Sequence, residues 1–235
     1  MAKRGGGESL GVLVYERLRS AILNGSELLP GQRLKPAEIG ARYDVSVSVV
    51  REALGILAAK GLVRIDRNRG FHVVPLSLDV LEQLTEARLV TEGGALRLSV
   101  ERGDVAWESA VLAAHHRLAS EPIFHDGDPP VRNEDWARAH LDFHRTLIEG
   151  CDNAVLLDLA LRLSDTAELY RAWAAAGGRE TDRDVEGEHR ALLDAALAHD
   201  ADKAVKLFDD HITRTCQILT DYASTFGLAD RKAED

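Results

Sequence analysis

Arg42–Val73 reads RYDVSVSVVREALGILAAKGLVRIDRNRGFHV. A short helix that starts near Pro36 closes at Tyr43-Asp44; a proline suits a first helical turn, where its missing N–H leaves nothing unsatisfied. Ser46 is a suitable N-cap for the next helix, Val47 to Lys60, and Gly61 stands where a helix C-terminus favours glycine. Leu62-Val63-Arg64-Ile65 then predicts a strand, Asp66–Gly70 with Asn68 a tip, and Phe71-His72-Val73-Val74 a returning strand. Two helices joined by a tight turn and followed by a β-ribbon make a winged helix-turn-helix. Such a module offers one helix to a DNA major groove and a wing to the neighbouring backbone.

On the N-terminal side, a helix is predicted from Leu10 to Asn24, with Leu13, Val14, Leu18 and Ile22 as its apolar face and Asn24-Gly25 as its end. Leu29-Pro30-Gly31 is a turn. Pro75 marks a boundary, so residues 1–75 are expected to form a winged helix-turn-helix of three helices and a hairpin, and residues 76–235 a second domain. There Ser77 or Asp79 can cap a helix to about Glu101, and another runs from Asp104 to about Ala119. Further helices are expected at roughly 132–149, 153–175, 182–199 and 201–226. Residues 120–131, SEPIFHDGDPPV, form the clearest loop, and no strand pattern follows residue 74. The second domain is therefore expected to be an all-α antiparallel bundle, and the fold mainly α.

The net charge of −10 is divided unevenly. Residues 1–75 hold 12 Lys and Arg against 7 Asp and Glu; residues 76–235 hold 17 against 32. A basic module joined to an acidic domain suits nucleic-acid binding by the first and another task for the second, and the acidic part should repel DNA. No apolar run is long enough to span a bilayer. The start, MAKRGGGESLG, is basic but lacks the apolar core of a secretory signal, so a cytoplasmic location is expected. Cys151 and Cys216 lie far apart without CxxC spacing and read as structural thiols.

Within the first domain, Arg51 lies near the N-terminal end of the Val47–Lys60 helix, on the face of Val47 and Ser48. From there an arginine can grip guanine O6 and N7 in a bidentate way. Ser46 and Ser48 can donate to phosphates. Arg67 and Arg69 flank the wing tip beside Gly70, where a backbone can come close to DNA, and Arg33 and Arg42 are further candidate contacts. The segment resembles the GntR family of bacterial transcription regulators. The resemblance rests on Tyr15, Ile22, Pro30-Gly31-Gln32-Arg33-Leu34, Val45-Ser46, Val50-Arg51-Glu52-Ala53-Leu54, Leu57, Gly61-Leu62-Val63, Gly70 and Val73. Val47 departs from the arginine usual there, Val49 from Pro or Thr, and Pro36 from an acidic residue. The resemblance implies a homodimer on operator DNA, with Val47 removing one family contact.

Eight of the nine histidines follow residue 76. His140 and His144, at i, i+4, project from one helix face and can reach one metal ion. Such a pair also arises by chance on a surface. His189 and His211 sit on later helices near apolar positions. Residues 78–226 resemble the FCD effector domain of the FadR subgroup, through Glu86-Ala-Arg88, Glu92, Phe143-His144-Arg145, Leu147, Asn153, Glu188-His189, Ala195 and His211-Ile212. Many members hold a divalent metal with one Asp and three His. The resemblance puts the three on His144, His189 and His211 and the Asp at position 140, where this chain has His140; Asp142 lies on another face. Four imidazoles suit zinc or nickel, and also copper or cobalt, better than magnesium or calcium. His115 and His116 read as a helix-surface pair, His125 as a loop residue and His199 as a helix C-terminal residue.

An inward Arg88 needs an anionic partner: Glu92 at i, i+4, or the carboxylate of a small effector, which the resemblance favours. Arg145 and Arg162 are further effector candidates. The expected function is a metabolite-responsive transcription regulator and not an enzyme. Two alternatives stand beside it. One is a metal-dependent hydrolase or lyase with a DNA-binding appendage, which lacks any nucleophile motif or HExxH; the other is a regulator whose metal is purely structural, since four imidazoles fill a tetrahedral shell.

Overall fold

The computed structural model describes residues 10–23, 28–67, 69–75, 77–127, 131–175 and 183–225. The chain divides into two compact units after residue 76. In the first, α1 (Leu10–Leu23) buries Val14, Leu18, Ala21 and Ile22, spaced three and four apart, and packs on α3. Leu13, expected on that face, is 43% exposed: it falls just outside the buried stripe. The expected end at Asn24-Gly25 lies outside the described residues. Helix α2 (Pro36–Tyr43) ends at Asp44, which takes up a left-handed φ of 54°. Helix α3 (Val47–Ala59) begins at Ser46, whose hydroxyl accepts from the Val49 N–H at 3.4 Å. It closes with Gly61 N–H on the Ala58 carbonyl and Leu62 N–H on the Leu57 carbonyl. This double closure needs a left-handed residue between, and Gly61 supplies it at φ 73°.

The wing carries a strand that the sequence reading missed. Strand β1 (Arg33–Leu34) pairs antiparallel with β3 (Gly70–Val73), which pairs on its other side with β2 (Val63–Asp66). A two-residue strand inside a turn offers no alternation to read; its pairing is clamped by Gly31 N–H to the Val73 carbonyl and Val73 N–H to the Gln32 carbonyl. The tip residue Asn68 lies outside the described residues.

The second unit holds, among the described residues, six helices: α4 (Leu78–Arg102), α5 (Val105–Ala119), α6 (Glu134–Glu149), α7 (Ala154–Ala175), α8 (Val185–Leu197) and α9 (Ala201–Thr225). Side-chain caps start four of them: Ser77 accepts from Val80, Asp104 from Trp107, Asn133 from Asp135 and Asp184 from Gly187. The expected start of α8 at 182 lies outside the described residues. Helix α4 runs against α6, α7 and α9, and α5 against α6 and α8. Leu96, Val100, Phe143, Leu147, Leu192 and Phe208 are almost wholly buried between them. The loop of residues 120–131 is not strand-free as expected: β4 (Phe124–His125) pairs antiparallel with β5 (Val131–Arg132), two residues each, again below the length that periodicity can reveal. Cys151 is buried and Cys216 partly so, and both are free thiols. No helix among the described residues is long and apolar enough to cross a membrane.

Candidate functional site

In the first unit, α3 turns Val50, Ala53, Leu54 and Leu57 inward, which leaves Val47, Ser48 and Arg51 exposed on its opposite side. Ser46 uses its oxygen for the cap and keeps its hydroxyl hydrogen to donate. Arg33, Arg42, Arg67 and Arg69 are exposed as well, the Arg42 guanidinium lying 5.8 Å from the Tyr43 ring centre. Gly70 has φ 86°, and a Cβ there would meet no atom within 4 Å, so its surface is open. The sheet register adds residues that the sequence reading did not single out. Arg33 lies opposite His72, and His72 opposite Arg64, so the three form one cross-strand row. Asp66 lies beside two of its members, 3.2 Å from Arg64 Nε and 3.3 Å from His72 Nδ1. Only the register of strands 30 residues apart in sequence reveals it.

In the second unit, three helices bring four histidines to one point: His140 and His144 from α6, His189 from α8 and His211 from α9. All four are buried, and one ligand atom from each lies within 4.8 Å of the others. His144 Nε2 and His189 Nε2 stand 3.2 Å apart. Two nitrogens on a tetrahedral ion with bonds of about 2.0–2.1 Å would be separated by roughly 3.3 Å. The His144 and His211 rings stack at 5.1 Å, and Trp136 stacks on His140 at 4.8 Å. Burial, reinforced by the neighbouring histidines, holds His140 and His144 well below the usual imidazole range; burial does the same for His189 and lowers His211. Neutral imidazoles are the ligating form. The Nδ1 atoms of His140 and His144 are buried without a hydrogen-bond partner. Orphaned nitrogens in a dry pocket are costly unless something binds there. The donor set, four buried and neutral imidazoles with two of their nitrogens at the spacing of a shared ion, fits a transition metal; an ion held by His144 Nε2 leaves that residue's Nδ1 unpaired.

His211 is oriented from behind. Its Nδ1 lies 2.7 Å from Glu188 Oε2, which leaves Nε2 for the cluster. Arg183 grips the same carboxylate at 2.9 and 2.7 Å and reaches the His211 carbonyl at 3.1 Å. Burial works to raise the Glu188 carboxyl, but hydrogen bonds from His211 and Arg183 prevail and bring it down to about 2. The sequence reading used Glu188 only as a family mark and missed Arg183.

Arg88 points inward and meets Glu92, at 2.5 and 3.1 Å, with both side chains buried. Arg145 is half-buried, and its Nε is buried without a partner. Arg162 does not join them: it is exposed and pairs with Asp158 one turn away, because its position falls on the outer face of α7. Two arginines that the sequence reading passed over lie inside instead. Arg132 and Arg171 both bind Glu168, the latter at 3.0 and 2.8 Å. Arg88 and Arg171 line one narrow cleft with Ala167, Ile212 and Cys216. The positive charge of Arg171 bears on both His140 and His144. A stripe of Ser164, Ala167, Glu168 and Arg171 along α7 was the available signal. His115, expected on the surface, is 3% exposed, with its ring edge-on to Phe143 at 5.4 Å. His125 is exposed. His199 adopts φ 52° just past α8 and places its two ring nitrogens 2.6 Å from the Val100 carbonyl and 2.8 Å from Glu108.

Comparison with known proteins shows the family. Residues 83–214 match the FCD domain, and residues 11–73 match the bacterial regulatory proteins of the gntR family. The chain is 38% identical to the HTH-type transcriptional regulator BphR of Paraburkholderia xenovorans, over 88% of this chain and 84% of the relative. It is 29% identical to the HTH-type transcriptional repressor GlaR of Escherichia coli K12, over 87% and 93%. A crystal structure of a GntR-family regulator from Pseudomonas syringae shares 26% identity over 92% of this chain and 88% of that one, with a TM-score of 0.53. Escherichia coli McbR/YncC, at 19% identity, shares the fold with a TM-score of 0.73 over 92% and 99%. These families and relatives are regulators, not enzymes.

Proposed function

We propose that this chain, which belongs to the GntR family of bacterial regulatory proteins and carries an FCD domain, is a metabolite-responsive transcription regulator that acts as a homodimer on operator DNA. The N-terminal unit reads DNA: Arg51 contacts base edges, and Ser46, Ser48, Arg33, Arg42, Arg67, Arg69 and the Gly70 backbone contact phosphates. In the FCD domain, His140, His144, His189 and His211 hold one divalent transition metal, zinc or nickel before others. When bound, that ion supplies a Lewis-acidic point for an anionic ligand.

The observation that carries the reading is the buried four-histidine cluster in a chain that also holds a basic winged helix-turn-helix. A carboxylate effector is supported by the charge count beside it. Arg88, Arg132 and Arg171 face Glu92 and Glu168, three cations to two anions in a largely buried setting. An uncompensated buried cation favours a bound anion. Arg88 and Arg171 bind and orient that carboxylate; Arg145 is a further donor through its unpartnered Nε.

One observation favours a second reading, in which the metal is structural. Four imidazoles complete a tetrahedral shell without an open position for a ligand. The two readings part experimentally. DNA selected from a random pool by the full-length protein should carry two related half-sites. Its affinity, followed by fluorescence anisotropy, should shift severalfold with small carboxylic acids only when metal is present. Metal-dependent folding with no acid altering DNA affinity would leave the structural reading. Failure to enrich any two-fold sequence would reject the regulator reading.

A further inference from the structure

A cavity of about 230 Å³ opens beside the histidine cluster, lined by the end of α5, the loop after it, α6 and α8. His189 lines it and also belongs to the cluster. Trp136 lines it and stacks on His140, so the indole walls that histidine off. The polar lining is His115, Glu121, Glu186 and His189, and no Lys or Arg is among its lining residues. Glu186 is exposed, Glu121 half-buried and His115 buried, a graded series from solvent inwards. Asn133 braces Glu121 through its Nδ2 at 3.3 Å. The cleft lined by Arg88 and Arg171 has the opposite character. A carboxylate is repelled by two acids and drawn to the arginines; a divalent cation behaves the other way.

We propose that this acid-lined cavity is the passage by which a divalent cation reaches the four histidines. Glu186 and Glu121 draw the ion in, and His115 holds it before His189 takes it over. Metal and anionic effector then enter from different sides, and effector binding leaves the metal's route open. The proposal rests on the reading of the cluster as a metal site.

Its test uses the full-length protein stripped with a chelator and mixed rapidly with cobalt(II), whose visible absorption reports imidazole coordination. The Glu121→Gln/Glu186→Gln variant should load on the order of tenfold more slowly at low salt, and its rate should depend less on salt than that of the wild type. His115→Gln should load more slowly at low and high salt alike. Both should reach the wild-type end-point spectrum, and far-UV circular dichroism should match. Glu82→Gln/Glu149→Gln, which removes two charges from exposed helix positions outside the cavity, should load like the wild type. The proposal is overturned if the acid variant and His115→Gln both load at the control's rate. An altered end-point spectrum in the acid variant would also overturn it, because those carboxylates would then belong to the coordination shell and not the route. Absence of any cobalt spectrum in the wild type would reject the four-histidine centre itself, and the route with it.

Discussion

Glu188 fixes the orientation of His211 from outside the cluster, and the consequence is measurable. Glu188→Ala should weaken metal binding by about 10–100-fold, the usual effect of removing such a support, without removing a ligand; competition against a chelating dye checks this. His140→Asp should keep the metal with a shift towards harder ions, whereas His144→Ala or His189→Ala should abolish binding. On the DNA side, Arg51→Ala should cost about 1–3 kcal/mol at the specific site and relax base preference. Arg69→Ala should weaken all sequences alike and flatten the salt dependence, which anisotropy titrations at two salt concentrations would separate. At this scale the sequence was readable where chemistry follows helix spacing. His140 and His144 sit one turn apart on α6, and their partners came from resemblance. The inward Arg171 and the outward Arg162 were not legible, because a few tens of degrees of rotation of α7 decide which arginine turns inward, and Arg132 was not, because it lies on the two-residue strand β5.

Helix ends set the positions from which these residues act. Trp107, one turn into α5, lies against Gly103 and Gly150 and donates from Nε1 to the Thr146 carbonyl at 3.0 Å, tying the start of α5 to the end of α6. A Cβ on Gly103 would stand 2.1 Å from the indole and 2.7 Å from the Ser99 carbonyl. Gly103→Ala should therefore destabilise the bundle by about 1–3 kcal/mol, as overpacking does. Chemical denaturation with an unchanged m-value would show it; a stability equal to wild type would mean that the junction yields without cost. The long helices were legible from their apolar periodicity, and three of their starts from Ser46, Ser77 and Asp104 ahead of it; the Asp184 cap emerged only in the structure. The β1 strand and the β4–β5 pair were not, since two-residue strands owe their existence to partners distant in sequence.

For the whole molecule, the division into a basic unit of residues 1–75 and an acidic remainder is what the proposed split between DNA reading and effector sensing requires. One recognition helix contacts only a few base pairs, so a homodimer is expected, and light scattering giving a monomer at micromolar concentration with and without operator would count against it. Acid should destabilise the metal-free protein. Burial first, helped by neighbouring histidines and arginines and opposed by Glu188 at His211 and His189, holds the four histidines below their ordinary value of 6.5, so the unfolded chain takes up protons that the folded chain refuses. Stability is then full above about pH 6.5 and falls as the pH drops towards the lowered folded values. His199, raised by its hydrogen bond to Glu108 and exposed, acts in the opposite sense and weakly, its contribution fading as the pH rises. A melting temperature that does not fall between pH 7.5 and 5.5 would contradict the neutral cluster. The most direct measurement is elemental analysis of protein purified without chelators, alongside His144→Ala. The account predicts roughly one transition metal ion per chain in the wild type, a melting temperature that drops on chelation and recovers with zinc or nickel, and no metal in the variant. Wild-type protein that carries no metal and gains no stability from added zinc or nickel would contradict it.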